Sequence, residues 1–226
     1  MPFKSEINFK LVSRLIGNLL LVESATMLFV LVITLLFNED DGRYFIYSSL
    51  IALVLALLMI LVGRNAPARA GKREGSMIVT FAWVLFSAIG ALPFWMSGAI
   101  PSYTNAFFET MSGFTTTGAS ILDNIEELSH GILFWRAMTH WLGGLGIVVI
   151  SMAILPMLGI NGVHLFAAET TGPTKDKFSP KVNDTARILF IVYIFLTIAE
   201  TVFLYFGGMS LFDSVTHSFS TVATGG

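Results

Sequence analysis

The chain has no cysteine. Disulfides and thiolate metal sites are therefore excluded, and the redox compartment cannot be read. Charge is scarce. Only 12% of the 226 residues are Asp, Glu, Lys or Arg, against roughly 25% in a soluble domain. A net charge of −2 supplies no basic surface, so nucleic acid is not an expected partner. The histidines show no His-x-x-x-His spacing, and His164 and His217 fall in segments assigned below to opposite sides of a membrane. No shared metal or haem site is expected from them, and no cofactor of any kind. The apolar runs do not alternate with polar residues, which excludes a membrane β-barrel.

What is present is hydrophobic. The composition is 54% apolar, includes 20 Phe, and has a mean hydropathy of +0.76. A bilayer-crossing helix needs about 20 apolar residues. Five segments meet that length: Leu15–Phe37, Tyr44–Val62, Met77–Met96, Ile132–Leu158 and Thr185–Phe206. The first has no small-residue cleavage site after it and reads as a retained membrane helix. The fold class is an all-α integral membrane protein. Basic residues give its orientation. Lys4, Lys10 and Arg14 precede the first span. Arg64, Arg69, Lys72 and Arg73 lie in Gly63–Ser76, and Lys175, Lys177 and Lys181 in Asn161–Asp184. The other side holds Arg43, and Ala99–Gly131 has no Lys or Arg. Positive charge favours the cytoplasm. The N-terminus is expected inside and Ala99–Gly131 outside.

The outer segment is not a simple loop. After Pro101, with Ser102, Thr104 or Asn105 as candidate caps, Ala106–Ser112 reads as about two turns of apolar helix. Gly113-Phe114-Thr115-Thr116-Thr117-Gly118-Ala119-Ser120 follows. Three β-branched residues between glycines suit an extended strand. At membrane depth such backbone is tolerated only when buried in protein or lining a watery cavity. A row of carbonyls there can replace the hydration shell of a cation. The end of the preceding short helix adds a negative dipole end. A polar turn between two helices is the alternative reading. The pattern recurs near residue 226. A shift of 108 positions places Gly118 on Gly226, Thr116 on Thr224, Ser112 on Ser220 and Asn105 on Asp213. A shift of 107, placing Gly118 on Gly225, remains open at this point.

Three runs carry a family resemblance: FFETMSGFTTTGAS, FWRAMTHWLGGLGIVVISMAILP at Phe134–Pro156, and HSFSTVATGG at His217–Gly226. Together they resemble the Trk/Ktr/HKT superfamily of potassium transporters, and its bacterial Trk-type branch in particular. The resemblance implies four successive helix–pore loop–helix units around one pore. On it, residues 1–76 hold two extra N-terminal helices and a basic loop, and 77–160 form the first unit. Residues 161–184 form a cytoplasmic loop, and 185–226 begin a second, incomplete unit. The expectation is therefore a partial, N-terminal portion of a transporter. The resemblance further implies potassium uptake across the bacterial inner membrane, with no catalysis. The filters would be Thr115, Thr116, Thr117, Gly118 and Ala119 in the first unit, and Ala223, Thr224, Gly225 and Gly226 in the second. Their carbonyls would coordinate potassium, as substrate, at Thr116, Thr117, Thr224 and Gly225. Uptake by symport is implied, with the driving force open. Implied partners are a second copy of the protein and a cytosolic nucleotide-binding regulatory subunit.

Other residues carry weaker expectations. Arg136 is expected to pair with Glu109 or Asp123, to snorkel, or to act on the transported cation. Glu109 is expected either to draw cations to the mouth or to pair with Arg136. Glu23 and Glu200, inside spans, are expected to hydrogen-bond between helices, with Glu200 a lesser candidate for proton coupling. Gly143-Gly144-Leu145-Gly146 has no preceding strand, so it is not a nucleotide loop. Small residues for close helix approach explain it. Two other functions stay in view: a non-conducting half-pore or assembly module, and an intramembrane enzyme using Glu200 or His140.

Overall fold

The computed structural model describes residues 7–66, 71–125, 127–157 and 182–225. Every regular element among them is a helix. Four stretches are long and apolar enough to cross a membrane: Phe9–Leu36, Gly42–Val62, Arg73–Met96 and Arg187–Phe206. The expected span Ile132–Leu158 is also helical from His130 to Met157. Those 28 residues make about 42 Å at 1.5 Å per residue.

Helices α1 (Phe9–Leu36) and α2 (Gly42–Val62) pack as an antiparallel pair. Small residues let the backbones approach. A Cβ on Gly17 would lie 2.8 Å from the Ala56 carbonyl oxygen. Ser24 and Ser49 each donate a hydroxyl to the other's carbonyl, at 3.0 and 2.9 Å. In hydrocarbon this packing and hydrogen bonding replace the hydrophobic drive that water would provide.

The expected third span is two helices, α3 (Lys72–Gly90) and α4 (Leu92–Met96). Pro93, buried near the start of α4, has no N–H to continue the ladder. At the break, the Gly90 carbonyl accepts a bond from Trp135 Nε1 at 2.9 Å. The short helix α5 runs from Tyr103 to Phe114, longer at both ends than the expected Ala106–Ser112. Ser102 caps it through the N–H of Asn105. Gly113 stays helical because its bare face receives Thr139, whose hydroxyl would collide with any Cβ there.

Helix α6 (His130–Met157) starts under a cap from outside its own strand of sequence. The Glu39 carboxylate accepts the N–H groups of His130 and Gly131 at 2.8 and 3.0 Å, and meets the His130 ring at 2.8 Å. A carboxylate on the first N–H groups satisfies donors the helix cannot, and complements its dipole. Glu39→Ala should lower stability by about 1–2 kcal/mol, read by thermal denaturation in detergent. Helices α7 (Val182–Phe206) and α8 (Leu211–Val222) complete the described chain. Trp141 Nε1 donates to Thr197, and Tyr193 donates to the Trp141 carbonyl, tying α6 to α7. The core centres on fully buried Trp135, which meets Phe45 and Phe114 edge-on.

Candidate functional site

Two loops leave the C-terminal ends of α5 and α8, and their geometry matches residue for residue. Ser102 and Ser210 cap the two helices, each accepting from the N–H three positions on. Thr110 and Ser218 each donate back to the carbonyl four residues earlier. Thr116 N–H donates to Gly113, and Thr224 N–H to Thr221. Thr117 N–H donates to Ser112 at 2.9 Å, and Gly225 N–H to Ser220 at 2.8 Å. Thr116 and Thr224 both lie at positive φ, 55° and 62°. Each pair is 108 apart, so the register is 108 and not 107. Gly225 matches Thr117. Gly118 matches Gly226, which lies outside the described residues.

The loop differs from the expected strand in where extension begins. Gly113 and Phe114 are still helix, and Thr115 and Thr116 form a turn. The helix holds on through the bonds from Thr115 N–H and its hydroxyl to the Met111 carbonyl. Gly118, at φ +76°, then turns the chain again. For β-branched threonine a positive φ is a strained state, held by surrounding contacts. The Thr115 and Thr117 hydroxyls bond one another at 2.8 Å. Among the described residues, the carbonyls of Thr115, Thr116, Thr117, Gly118 and Ala119 accept no hydrogen bond, and neither do those of Ala223, Thr224 and Gly225.

The two loops meet. A Cβ on Gly118 would run into the carbonyl oxygen of Gly225. Helix α6 backs both. A Cβ on Gly143 would strike the Phe114 carbonyl, and one on Gly144 would lie 3.2 Å from Ala223 Cβ. The glycine cluster thus serves close approach of α6 to both loops. Glu109, on α5, ties the rest of the first loop down. It accepts from Arg136 Nε at 2.7 Å, from Ile121 N–H at 3.0 Å, and from the Ser120 hydroxyl. Arg136 therefore pairs with Glu109, not with Asp123.

A family profile described as "Cation transport protein", TrkH, matches residues 45–226. The chain belongs to the TrkH family. The Trk system potassium uptake protein TrkH of Salmonella typhimurium is 40% identical over 222 residues, which are 97% of this chain and 46% of that protein. The Trk system potassium uptake protein TrkG of Escherichia coli is 35% identical over 219 residues, 96% and 45% of the two chains. The crystal structure of the potassium transporter TrkH from Vibrio parahaemolyticus superposes with a TM-score of 0.82 at 35% identity, covering 95% of this chain and 43% of that one. This TrkH-family chain thus spans under half the length of these relatives, and is a multi-pass membrane protein.

The remaining candidates sort by contact. Glu200 accepts from the Thr221 hydroxyl, joining α7 to α8. His140 Nδ1 donates to the Arg136 carbonyl at 3.1 Å. No contact joins Glu200 to His140 among the described residues, so an acid–base pair between them has no geometry. Glu23 corrects an expectation. Its carboxylate oxygens are buried without a hydrogen-bond partner among the described residues, one of them beside Gly90 of α3. A buried polar group left unpaired costs about 1–3 kcal/mol, so Glu23→Met should raise the thermal midpoint. A lower midpoint would mean that the carboxyl serves an interaction. His164, Lys175, Lys177 and Lys181 lie outside the described residues.

Proposed function

We propose that this chain supplies two of the coordinating loops through which potassium enters across the bacterial inner membrane. The observation that carries the reading is a run of unbonded carbonyls after each of two short helices. The runs are Thr115–Ala119 and Ala223–Gly225, in the same register and touching at Gly118 and Gly225. Unbonded carbonyls inside a membrane protein need a partner, and a dehydrated cation supplies one. The helix ends at Phe114 and Val222 aim partial negative charge at the same loops. Potassium at Thr116, Thr117, Thr224 and Gly225 follows, with Gly226 completing the second loop by its register. The names of the relatives support potassium as the ion. The basic segments favour a cytoplasmic N-terminus, on the side where a nucleotide-binding regulatory subunit would dock. A second copy of the protein is the expected membrane partner.

The test is growth of cells lacking their own potassium uptake systems, at limiting potassium, on the complete product of this gene. Rescue with Rb⁺ uptake is the expected result. A protein present in the membrane that restores neither overturns the reading.

A further inference from the structure

One face of α2 carries a charged head and an apolar tail. At the head, the Arg43 guanidinium lies 4.9 Å from the centre of the Tyr44 ring and donates to the Tyr44 hydroxyl at 3.0 Å. Arg43 is exposed and makes no ion pair among the described residues. Of the carboxylates just before it, Glu39 accepts from His130 and Gly131, Asp41 accepts from Ser129, and Asp40 forms no pair with it. Tyr44 continues into a groove of about 430 Å³, lined also by Tyr47 and by Trp95 and Met96 of α4. One turn further along α2, a second groove of about 420 Å³ is lined by Leu50, Ile51, Val54, Leu55 and Leu58. Arg43, Tyr47, Leu50, Val54 and Leu58 follow one another at spacings of three or four, so they share one side of the helix. The last four are each about half exposed. Tyrosine and tryptophan mark the level where lipid headgroups begin. The rise from Tyr44 to Leu58 is about 21 Å at 1.5 Å per residue, enough to follow an acyl chain through its half of a core about 30 Å thick.

We propose that this face is a binding site for one anionic glycerophospholipid. The phosphate meets Arg43, the glycerol region lies against Tyr44, Tyr47 and Trp95, and an acyl chain follows Leu50 to Leu58. A guanidinium matches phosphate oxygens with paired N–H bonds. One already seated on a tyrosine ring has less freedom to lose on binding. A zwitterionic lipid brings its own amine for its phosphate, whereas a net anionic headgroup leaves its charge for Arg43. The lipid bridges α2 and α4, so its binding stabilises the folded protein. With a cytoplasmic N-terminus, as proposed above, the site lies in the outer leaflet.

The test uses the complete gene product, purified in detergent with phosphatidylcholine and titrated with phosphatidylglycerol. Native mass spectrometry counts the lipid retained, and thermal denaturation reads its effect. The expected result is one phosphatidylglycerol held per chain in preference to phosphatidylcholine, with a raised thermal midpoint. Arg43→Gln is expected to raise the apparent Kd for phosphatidylglycerol about tenfold, the factor for one lost charge-assisted hydrogen bond. Val54→Trp fills the tail groove and leaves the head intact, and should weaken retention as well. Arg64→Gln removes the same charge just past the other end of α2 and should bind like the unaltered protein. All three residues are exposed, so without added lipid the three variants should melt with the unaltered protein. Soluble glycerol phosphate should shift nothing. Equal retention of the two lipids, unchanged binding in Arg43→Gln, or equal loss in Arg43→Gln and Arg64→Gln overturns the proposal. Unchanged binding in Val54→Trp, or a shift by glycerol phosphate equal to that by phosphatidylglycerol, overturns a lipid as the ligand.

Discussion

Gly118→Ala is expected to abolish cation uptake. A single methyl does two things at this position. Gly118 sits at φ +76°, where an L-residue costs about 1–2 kcal/mol. The added Cβ also meets the Gly225 carbonyl oxygen, a backbone atom of the other loop. Backbone cannot rotate away as a long side chain does, so both loops must move. A displacement near 1 Å in a positioned site costs about 100-fold in rate, and Rb⁺ uptake should fall by at least that. Gly98 provides the control. It has φ +79°, yet a Cβ there meets nothing within 4 Å. Gly98→Ala therefore bears the backbone cost alone and should keep most of its uptake. If both variants are equally impaired, strain and not collision is the cause. If Gly118→Ala transports normally, the two loops do not act as one coordinating site.

How much of this was legible follows from which residues carry long-range and which carry local information. Apolar length alone marked the spans. Pro93 is local and visible, but the sequence does not show whether neighbours re-satisfy the ladder and keep one straight helix. Here α3 and α4 separate, and Trp135 takes the Gly90 carbonyl. The threonine run misled at its start. Propensity favours extension, yet Met111 holds Thr115 through both its N–H and its hydroxyl, and the helix runs on to Phe114. The repeat was legible as a shift, but its register needed paired hydrogen bonds, since one glycine more or less satisfies the letters. Glu39 stands in the sequence beside Asp40 and Asp41, with no helix start near it that needs a distant partner. Its partners lie 91 and 92 positions away, and no local pattern announces a cap supplied from that distance. From sequence, His140 reads only as a metal ligand or an acid–base group. The spacing from Arg136 to His140, four residues on one helix, was the available clue that one ring nitrogen would be tied to the backbone. Glu23 shows the opposite failure. A carboxylate in a span invites a partner by rule, and the packing of Gly90 beside it supplies none.

Arg136→Leu is expected to be the most damaging change outside the loops. The Glu109 side chain is 2% exposed and that of Arg136 16%. Removing the guanidinium leaves a buried carboxylate without its cation, which costs about 3–5 kcal/mol. The folded protein should largely disappear from the membrane. Glu109→Gln should be milder. The amide oxygen can still accept from Ile121 N–H or Ser120, and Arg136 retains some access to solvent. The double change Glu109→Gln with Arg136→Leu then decides what the pair is for. It removes both charges but keeps an acceptor for Ser120 and Ile121, which follow the first loop. If the pair is structural, abundance in the double variant recovers well above that of Arg136→Leu, and the apparent KM for Rb⁺ stays near the unaltered value. The coupling in such a cycle isolates the pair from the separate effects of each side chain. Recovered abundance with a KM that remains raised would assign the charges to the cation itself, with Glu109 drawing ions to the mouth. The geometry favours the first outcome, because Arg136, Ser120 and Ile121 already bond the Glu109 carboxylate and it is closed to solvent.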